Sequence, residues 1–194
     1  MTDFFALLRQ PRQPWLDPEE LKEAFHARSL RAHPDARGEG ITAGQAEAEF
    51  AQLNEAYRVL HDPRRRLQHL LTLEGHPPGS SMGVIPPEVA SLFQSVATAT
   101  QEADKMAARL TAATNPLSRS LLQVGVVQAR KGIETALATL RKLSDEAEEE
   151  LRAMSAGEAS AEAERIERLQ NLYVRFAFLT RWIAQLEEKR ALLA

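Results

Sequence analysis

The 194-residue sequence contains no cysteine. Disulfides, thiol nucleophiles and cysteine-held zinc or iron–sulfur clusters are therefore excluded on this chain itself. Aromatic residues make up only 6%, so a packed core must be built chiefly from aliphatic side chains. No stretch approaches the roughly 18 consecutive apolar residues that a membrane-spanning helix needs, and no membrane partner is expected. A surplus of positive charge is also missing: 24 Lys and Arg face 27 Asp and Glu, for a net charge of −3, which disfavours nucleic acid as a partner. The first helical pattern already begins at Asp3, leaving no room for a signal or transit peptide, and a cytoplasmic location is the expectation. Alanine, leucine, glutamate and arginine dominate what is present, and all four favour helix. The composition predicts an all-α protein, long enough for one sizeable core or two smaller ones.

The most informative short stretch is His33-Pro34-Asp35, set between two amphipathic helical patterns. Asp17-Pro18-Glu19-Glu20 places a capping carboxylate before a proline suited to the first helical position, with Glu20 three residues on. A helix should start near Pro18 and run to His33, where Pro34 removes a donor N–H and disfavours helical geometry in the residue before it. Residues 35–40 are rich in turn formers. Thr42 and Gln45 then form a second capping pattern, and Ala46, Phe50, Leu53, Tyr57 and Leu60 follow at helical spacing. The expectation is an antiparallel helical hairpin with His33-Pro34-Asp35 exposed at its tip.

At these residues the chain resembles a J domain, the module by which co-chaperones activate DnaK-class ATP-dependent chaperones. The resemblance covers about residues 3 to 75. Asp3 to Leu8 is similar to the short first helix, residues 18–33 to the second and 43–60 to the third. After Asp62-Pro63, another cap-plus-proline start, Arg66, Leu70, Leu71, Leu73 and Gly75 resemble the HscB (Jac-type) family, whose J domain continues into a helical domain that binds an iron–sulfur scaffold protein. The same leucines would equally cover an interdomain seam. The resemblance implies a DnaK/HscA-type chaperone as partner, contacted through His33, Pro34 and Asp35 and through Lys22, His26 and Arg31 of the second helix. It implies no cofactor and no metal. Three departures stand out: Arg28 occupies the stripe of Leu21, Phe25 and Ala32 where the family usually has leucine, Ala32 is small for its place, and the helix carries Glu19, Glu20 and Glu23.

A segment from His76 to Pro87, rich in proline, glycine and serine, reads as a linker. It divides a J domain (1–75) from a C-terminal helical, client-binding domain (88–194), expected as an elongated three-helix bundle or coiled-coil-like hairpin. The first helix carries Val89, Leu92, Phe93, Val96, Ala99, Ala103, Met106 and Leu110. Asn115-Pro116 stops it and caps the second, whose stripe reads Leu121, Val124, Ile133, Ala136, Leu137, Leu140, Leu143 and Leu151. Such a helix would extend roughly 55 Å. The third repeats Leu172, Leu179, Leu186 and Leu193 every seven residues. In the HscB family, apolar and acidic residues of the first C-terminal helix and an aromatic of the last hold the scaffold. The resemblance implies Leu92, Phe93 and Val96, with Phe176 or Phe178, for that patch. Ala97 and Thr100 stand where acids are expected.

Three function classes are compatible with these patterns. The first is an HscB-like co-chaperone that stimulates its chaperone and delivers the iron–sulfur scaffold protein. The second is a J-domain adaptor whose helical part binds a different client or assembly. The third, an enzyme using His33 and Asp35 as an acid–base or metal pair, has little support. The other histidines, His26, His61, His69 and His76, form no ligand spacing, and neither a nucleophile nor a phosphate loop accompanies them.

Overall fold

Short polar side chains set where four of the helices begin. The carboxylate of Asp3 accepts from the amides of Phe5 and Ala6, that of Asp17 from Glu19 and Glu20, and that of Asp62 from Arg65. The Asn115 side chain accepts from Ser118 at 2.8 Å. Each such cap contributes about 1 kcal/mol by satisfying amides that the helix leaves unpaired.

The computed structural model describes residues 1–32, 43–79, 85–157 and 161–193. The helices are α1 (Phe4–Leu8), α2 (Pro18–Ala32), α3 (Ala43–His61), α4 (Pro63–Leu73), α5 (Pro87–Ala90), α6 (Phe93–Ala112), α7 (Pro116–Ser155) and α8 (Glu162–Leu192). Among the described residues there is no strand, and no helix is long and apolar enough to cross a membrane. The all-α class expected from composition is what the chain adopts. His33, Pro34, Asp35 and the second expected cap, Thr42, lie outside the described residues.

Two compact units emerge, each containing part of the two long helices. The first joins Met1–Ser81 with Glu148–Tyr173. Its core is formed by Phe5, Leu8, Leu21, Leu53, Leu60, Leu67, Leu70 and Leu71, with Leu151 and Leu169 contributed by α7 and α8. The α2–α3 hairpin closes through Leu21 and through Phe25 stacked on Tyr57 at 4.6 Å. Phe50, expected on the buried stripe of α3, is instead 43% exposed. The buried face there is carried by Leu53, Ala56, Val59 and Leu60.

A buried cation lies in this unit. Arg66 is only 4% exposed, and its Nε donates to the Pro14 carbonyl at 2.8 Å while one terminal nitrogen donates to the Leu60 carbonyl at 2.7 Å. Burial pushes its pKa down to about 10, opposed by the charges of Glu148 and Asp62, so the guanidinium stays charged at neutral pH. It joins α4 to the end of α3 and to the loop ahead of α2. That loop is also held by α7: Trp15 donates its amide to the Ser155 hydroxyl at 3.0 Å, and the Arg152 guanidinium lies 4.6 Å over the Trp15 ring. At the end of α4, Glu74 receives two bonds from Arg165 of α8, at 2.8 and 3.1 Å. Gly75, at φ +84°, ends α4 in a left-handed conformation that disfavours any side chain.

The α1 segment is docked by His69. The ring stacks on Phe4 at 4.6 Å and on Phe5 at 5.7 Å, and its Nε2 accepts from the Phe4 amide at 3.1 Å. Burial lowers the His69 pKa, Asp3 opposes the shift and Arg12 adds to it. The neutral ring is thus the one the fold needs.

The second unit joins Met82–Ala147 with Val174–Ala194. Here α6 and α8 run parallel, since Thr100 meets Gln185 and Asp104 meets Lys189, while α7 runs antiparallel to α8, with Arg141 against Glu187 and Leu143 against Arg175. Leu179, Leu186 and Leu193 are buried, as their seven-residue repeat predicts. Two details differ from expectation. The first C-terminal helix is broken into α5 and α6 at Ser91-Leu92, where the Ser91 and Ser95 hydroxyls donate to the Glu88 and Leu92 carbonyls and the Leu92 amide turns back to Val89. Side-chain hydroxyls compete with the regular ladder there. Leu121 and Val124, expected in the apolar seam of α7, are 77% and 73% exposed. From Ile133 onward the expected stripe is buried, at Ile133, Ala136, Leu137, Leu140 and Leu151, while ahead of it Val126 and Ala129 take the inward positions in place of Leu121 and Val124.

Arg66→Ala removes a buried donor pair from two carbonyls, and we expect a loss of about 2–4 kcal/mol, measured as a lower urea midpoint. For His69, stability is full above about 6.5, the unfolded-state value, and is lost as pH falls through its lower folded-state pKa. Thermal melts at about pH 7.5 and about pH 5.5 should show a larger drop for the parent protein than for His69→Gln, which cannot take up that proton.

Candidate functional site

Two surfaces carry the residues singled out from sequence. The first is the outward side of α2. Leu21 and Phe25 point this helix into the hairpin, leaving Lys22, His26 and Arg31 exposed. At 100° per residue, Lys22 and His26 lie about 40° apart on one flank, whereas Arg31 falls about 180° from Lys22, on the other. The Lys22 ammonium pairs with Glu19 at 3.2 Å across one turn. The His26 ring is tilted against Phe25 at 5.6 Å. Arg28 is half-buried, with its long apolar stem available to cover the edge of the stripe.

The second surface is on the helical bundle. Phe93 opens α6 and is 43% exposed. Its ring meets Trp182 edge-on at 4.9 Å and Phe178 at 5.5 Å, and the latter two are 5.3 Å apart. Such edge-to-face arrangements are favoured by the ring quadrupoles. Val96 is buried against this cluster, and an open cleft of about 290 Å³ is lined by Phe93, Val96, Ala97, Thr100, Gln101, Trp182 and Gln185. The fold therefore brings Phe93, Val96 and Phe178 together. Leu92 sits half-buried at the N-cap of α6, and Phe176 is almost fully buried. Trp182 was not singled out from sequence. Its signal was available: it follows Phe178 by four residues, which puts both rings on one helix face.

The cleft's electrostatics are close to neutral. Ala97 and Thr100 supply no charge. Thr100 donates its hydroxyl to the Val96 carbonyl at 2.8 Å and lies 3.5 Å from the Gln185 amide. Asp104, one turn further along α6, is taken by Lys189 at 2.7 Å, and this hydrogen bond raises the lysine pKa. Among the described residues no cluster of acidic or histidine side chains is disposed to hold a metal.

Comparison with known proteins divides along the chain. Residues 3–69 match the family model of the DnaJ domain. Over 76 residues the chain is 38% identical to a co-chaperone protein HscB homolog of Paraburkholderia phymatum, covering 37% of this chain and 42% of that one. Over 78 residues it is 41% identical to the HscB homolog of Cupriavidus taiwanensis, covering 38% and 43%. The matched stretch thus spans less than half the length of these relatives. The solved structure of the chaperone HscB from Vibrio cholerae covers the whole of both chains with a TM-score of 0.56 at 20% identity, which is a likeness of fold.

The cluster should separate surface from core on substitution. Phe178→Ala is expected to destabilise by about 3–5 kcal/mol, and Phe93→Ala by about 1 kcal/mol, because only the former empties a closed site. Denaturant unfolding of the two variants checks this.

Proposed function

We propose that this HscB-type J-domain protein, with its DnaJ domain in residues 3–69, is a co-chaperone that stimulates ATP hydrolysis by a DnaK/HscA-type chaperone and presents to it a client, the iron–sulfur scaffold protein. The observation that carries this reading is the presence, in one chain, of a J domain and of an aromatic cleft on a separate compact unit. The hydrolytic chemistry belongs to the partner. This chain contributes position and charge.

On the chaperone side, Asp35 offers its carboxylate to an arginine of the partner, a charge-assisted bond that is strong and direction-sensitive. Pro34, whose ring fixes its own φ, and His33, which adds a hydrogen bond, complete the contact. Lys22 and His26 extend the contact along one flank of α2, with Arg31 reaching from the other. On the client side, Leu92, Phe93, Val96 and Phe178 form the apolar patch. A second reading, an adaptor that recruits the same class of chaperone to a different client, draws on one specific observation: Ala97 and Thr100 leave the cleft rim without the acids that an HscB family member is expected to carry there.

Asp35→Asn keeps the shape of the side chain and removes its charge. It should abolish stimulation of the chaperone's ATPase, by about tenfold or more, while leaving scaffold binding intact. Joint alanine substitution of Leu92, Phe93 and Val96 should do the reverse. Stimulation that survives in Asp35→Asn contradicts the chaperone contact. Scaffold binding unchanged in the triple variant moves the reading to the adaptor.

A further inference from the structure

We propose that the outward face of α7, from Leu117 to Thr135, is a second docking surface of the bundle, and that its partner is an acidic amphipathic helix of another protein, apolar over one half and carboxylate-bearing over the other. This face is separate from the aromatic cleft and stands independently of the scaffold reading. Ser95, which borders it, lies about 160° around α6 from Phe93.

The face begins apolar. Leu121 and Val124, already noted as exposed, are joined by Leu117 and Val127 at 71% and 59% exposure, all four within an arc of about 120° on the helix. They leave roughly 450 Å² of aliphatic surface in water, a size at which a patch on a monomer is often a contact site. Leu117, Leu121, Val124, Gln128, Lys131 and Thr135 succeed one another in steps of four and three residues, the spacing by which one helix seats another along a seam. Beyond Val124 that seam turns polar. It runs beside an open cleft of about 380 Å³ whose lining includes Gln128, Lys131, Gly132, Thr135 and Ser95. Nothing lies within 4 Å of where a side chain at Gly132 would begin, so the cleft is left unfilled there. Lys131 is the one ionised group among the described residues that line it.

Charge selects the partner. From Lys105 to Ile133 the chain carries five cations, Lys105, Arg109, Arg119, Arg130 and Lys131, and no acid, within a protein of net charge −3. Lys105 is paired with Glu102 at 2.7 Å, and Arg119 donates to the Ala113 carbonyl at 3.2 Å. Arg109, Arg130 and Lys131 have no carboxylate partner among the described residues. The next acid, Glu134, stands about 60° around the helix from Lys131, at the edge of the seam. A helix bearing carboxylates is therefore drawn to this part of the bundle, and a basic one is repelled. A second copy fits poorly. It would set five cations against five, and two such apolar patches face to face bury under about 1,000 Å², short of the ~1,200 Å² of a stable interface. A nucleic acid would press the leucines against its phosphates. A bilayer surface is usually met with interfacial aromatics, and α7 carries none.

The test is fluorescence anisotropy of a labelled helical peptide of ~20 residues titrated with the full chain, its seam positions filled by leucine in one half and by glutamate in the other. Binding is expected to weaken about fivefold or more between about 50 mM and about 500 mM NaCl. It should weaken about tenfold or more in Leu121→Glu and about fivefold or more in Lys131→Glu. Both side chains are exposed, and circular dichroism checks that each variant folds as the parent does. A peptide with lysine in place of glutamate should not bind. Peptide binding that is absent, insensitive to salt, equal for the lysine peptide, or indifferent to both substitutions overturns the proposal. Cosedimentation with phosphatidylglycerol vesicles that Leu121→Glu abolishes, without peptide binding, assigns the face to a membrane instead. A dimer in analytical ultracentrifugation that Leu121→Glu dissociates assigns it to a second copy, and either result overturns the proposal.

Discussion

A guanidinium buried in an apolar core must be supplied with acceptors, and in the first unit that requirement organises much of the packing around it. Arg66 takes the carbonyls of Pro14 and Leu60, which fixes α4 against the end of α3 and against the loop that leads into α2. The loop is then completed from the other side by Ser155 and Arg152 of α7. The entry point of α2 follows from these contacts, since the Asp17 cap lies just beyond the loop. A helix whose start is fixed and whose inner face is closed by Leu21 and Phe25 has its outward flank determined as well. Lys22 and His26 share a flank because they stand four residues apart on the helix, and the contacts around Arg66 help to fix where the helix carrying that flank begins.

The second unit uses a different logic. A leucine repeat on α8 forms its core, and a few aromatic rings are concentrated at one place on its surface. Because aromatic residues are so scarce in this chain, three of them meeting at one cleft is a local departure from an aliphatic design. The rings are held by packing on two parallel helices, α6 and α8, which gives the cleft a fixed shape. Charge is kept out of it by pairing within the unit. One unit thus presents a charged flank and the other a neutral apolar corner, two surfaces suited to different kinds of partner.

Much of this was legible in the sequence, for identifiable reasons. Asp17-Pro18, Asp62-Pro63 and Asn115-Pro116 each announce a helix start through local chemistry, and local chemistry is what sequence reports best. The heptad of Leu172, Leu179, Leu186 and Leu193 was readable because all four leucines are buried, the first in one unit and the other three in the second. Leu121 and Val124 misled because periodicity fixes which residues share a face but not which face is inward. Phe50 failed likewise, since spacing alone does not tell how far along α3 the hairpin stays closed. Phe178 could be picked out as lying off the main leucine stripe, yet Trp182 beside it was passed over, because its role depends on Phe93, far away in sequence. Arg66 was noticed as a position of family resemblance. That it is a buried cation joining three segments required the tertiary fold.

The central claim is that a chaperone contact and a client contact act together through this chain. Steady-state ATP hydrolysis by the host's DnaK-class chaperones, measured with this protein in the presence and absence of the iron–sulfur scaffold protein, tests it most directly. The account predicts stimulation by the protein alone and a further, more than additive rise when the scaffold is added. Stimulation indifferent to the scaffold would contradict the client assignment, and no stimulation of any of the chaperones would contradict the account as a whole.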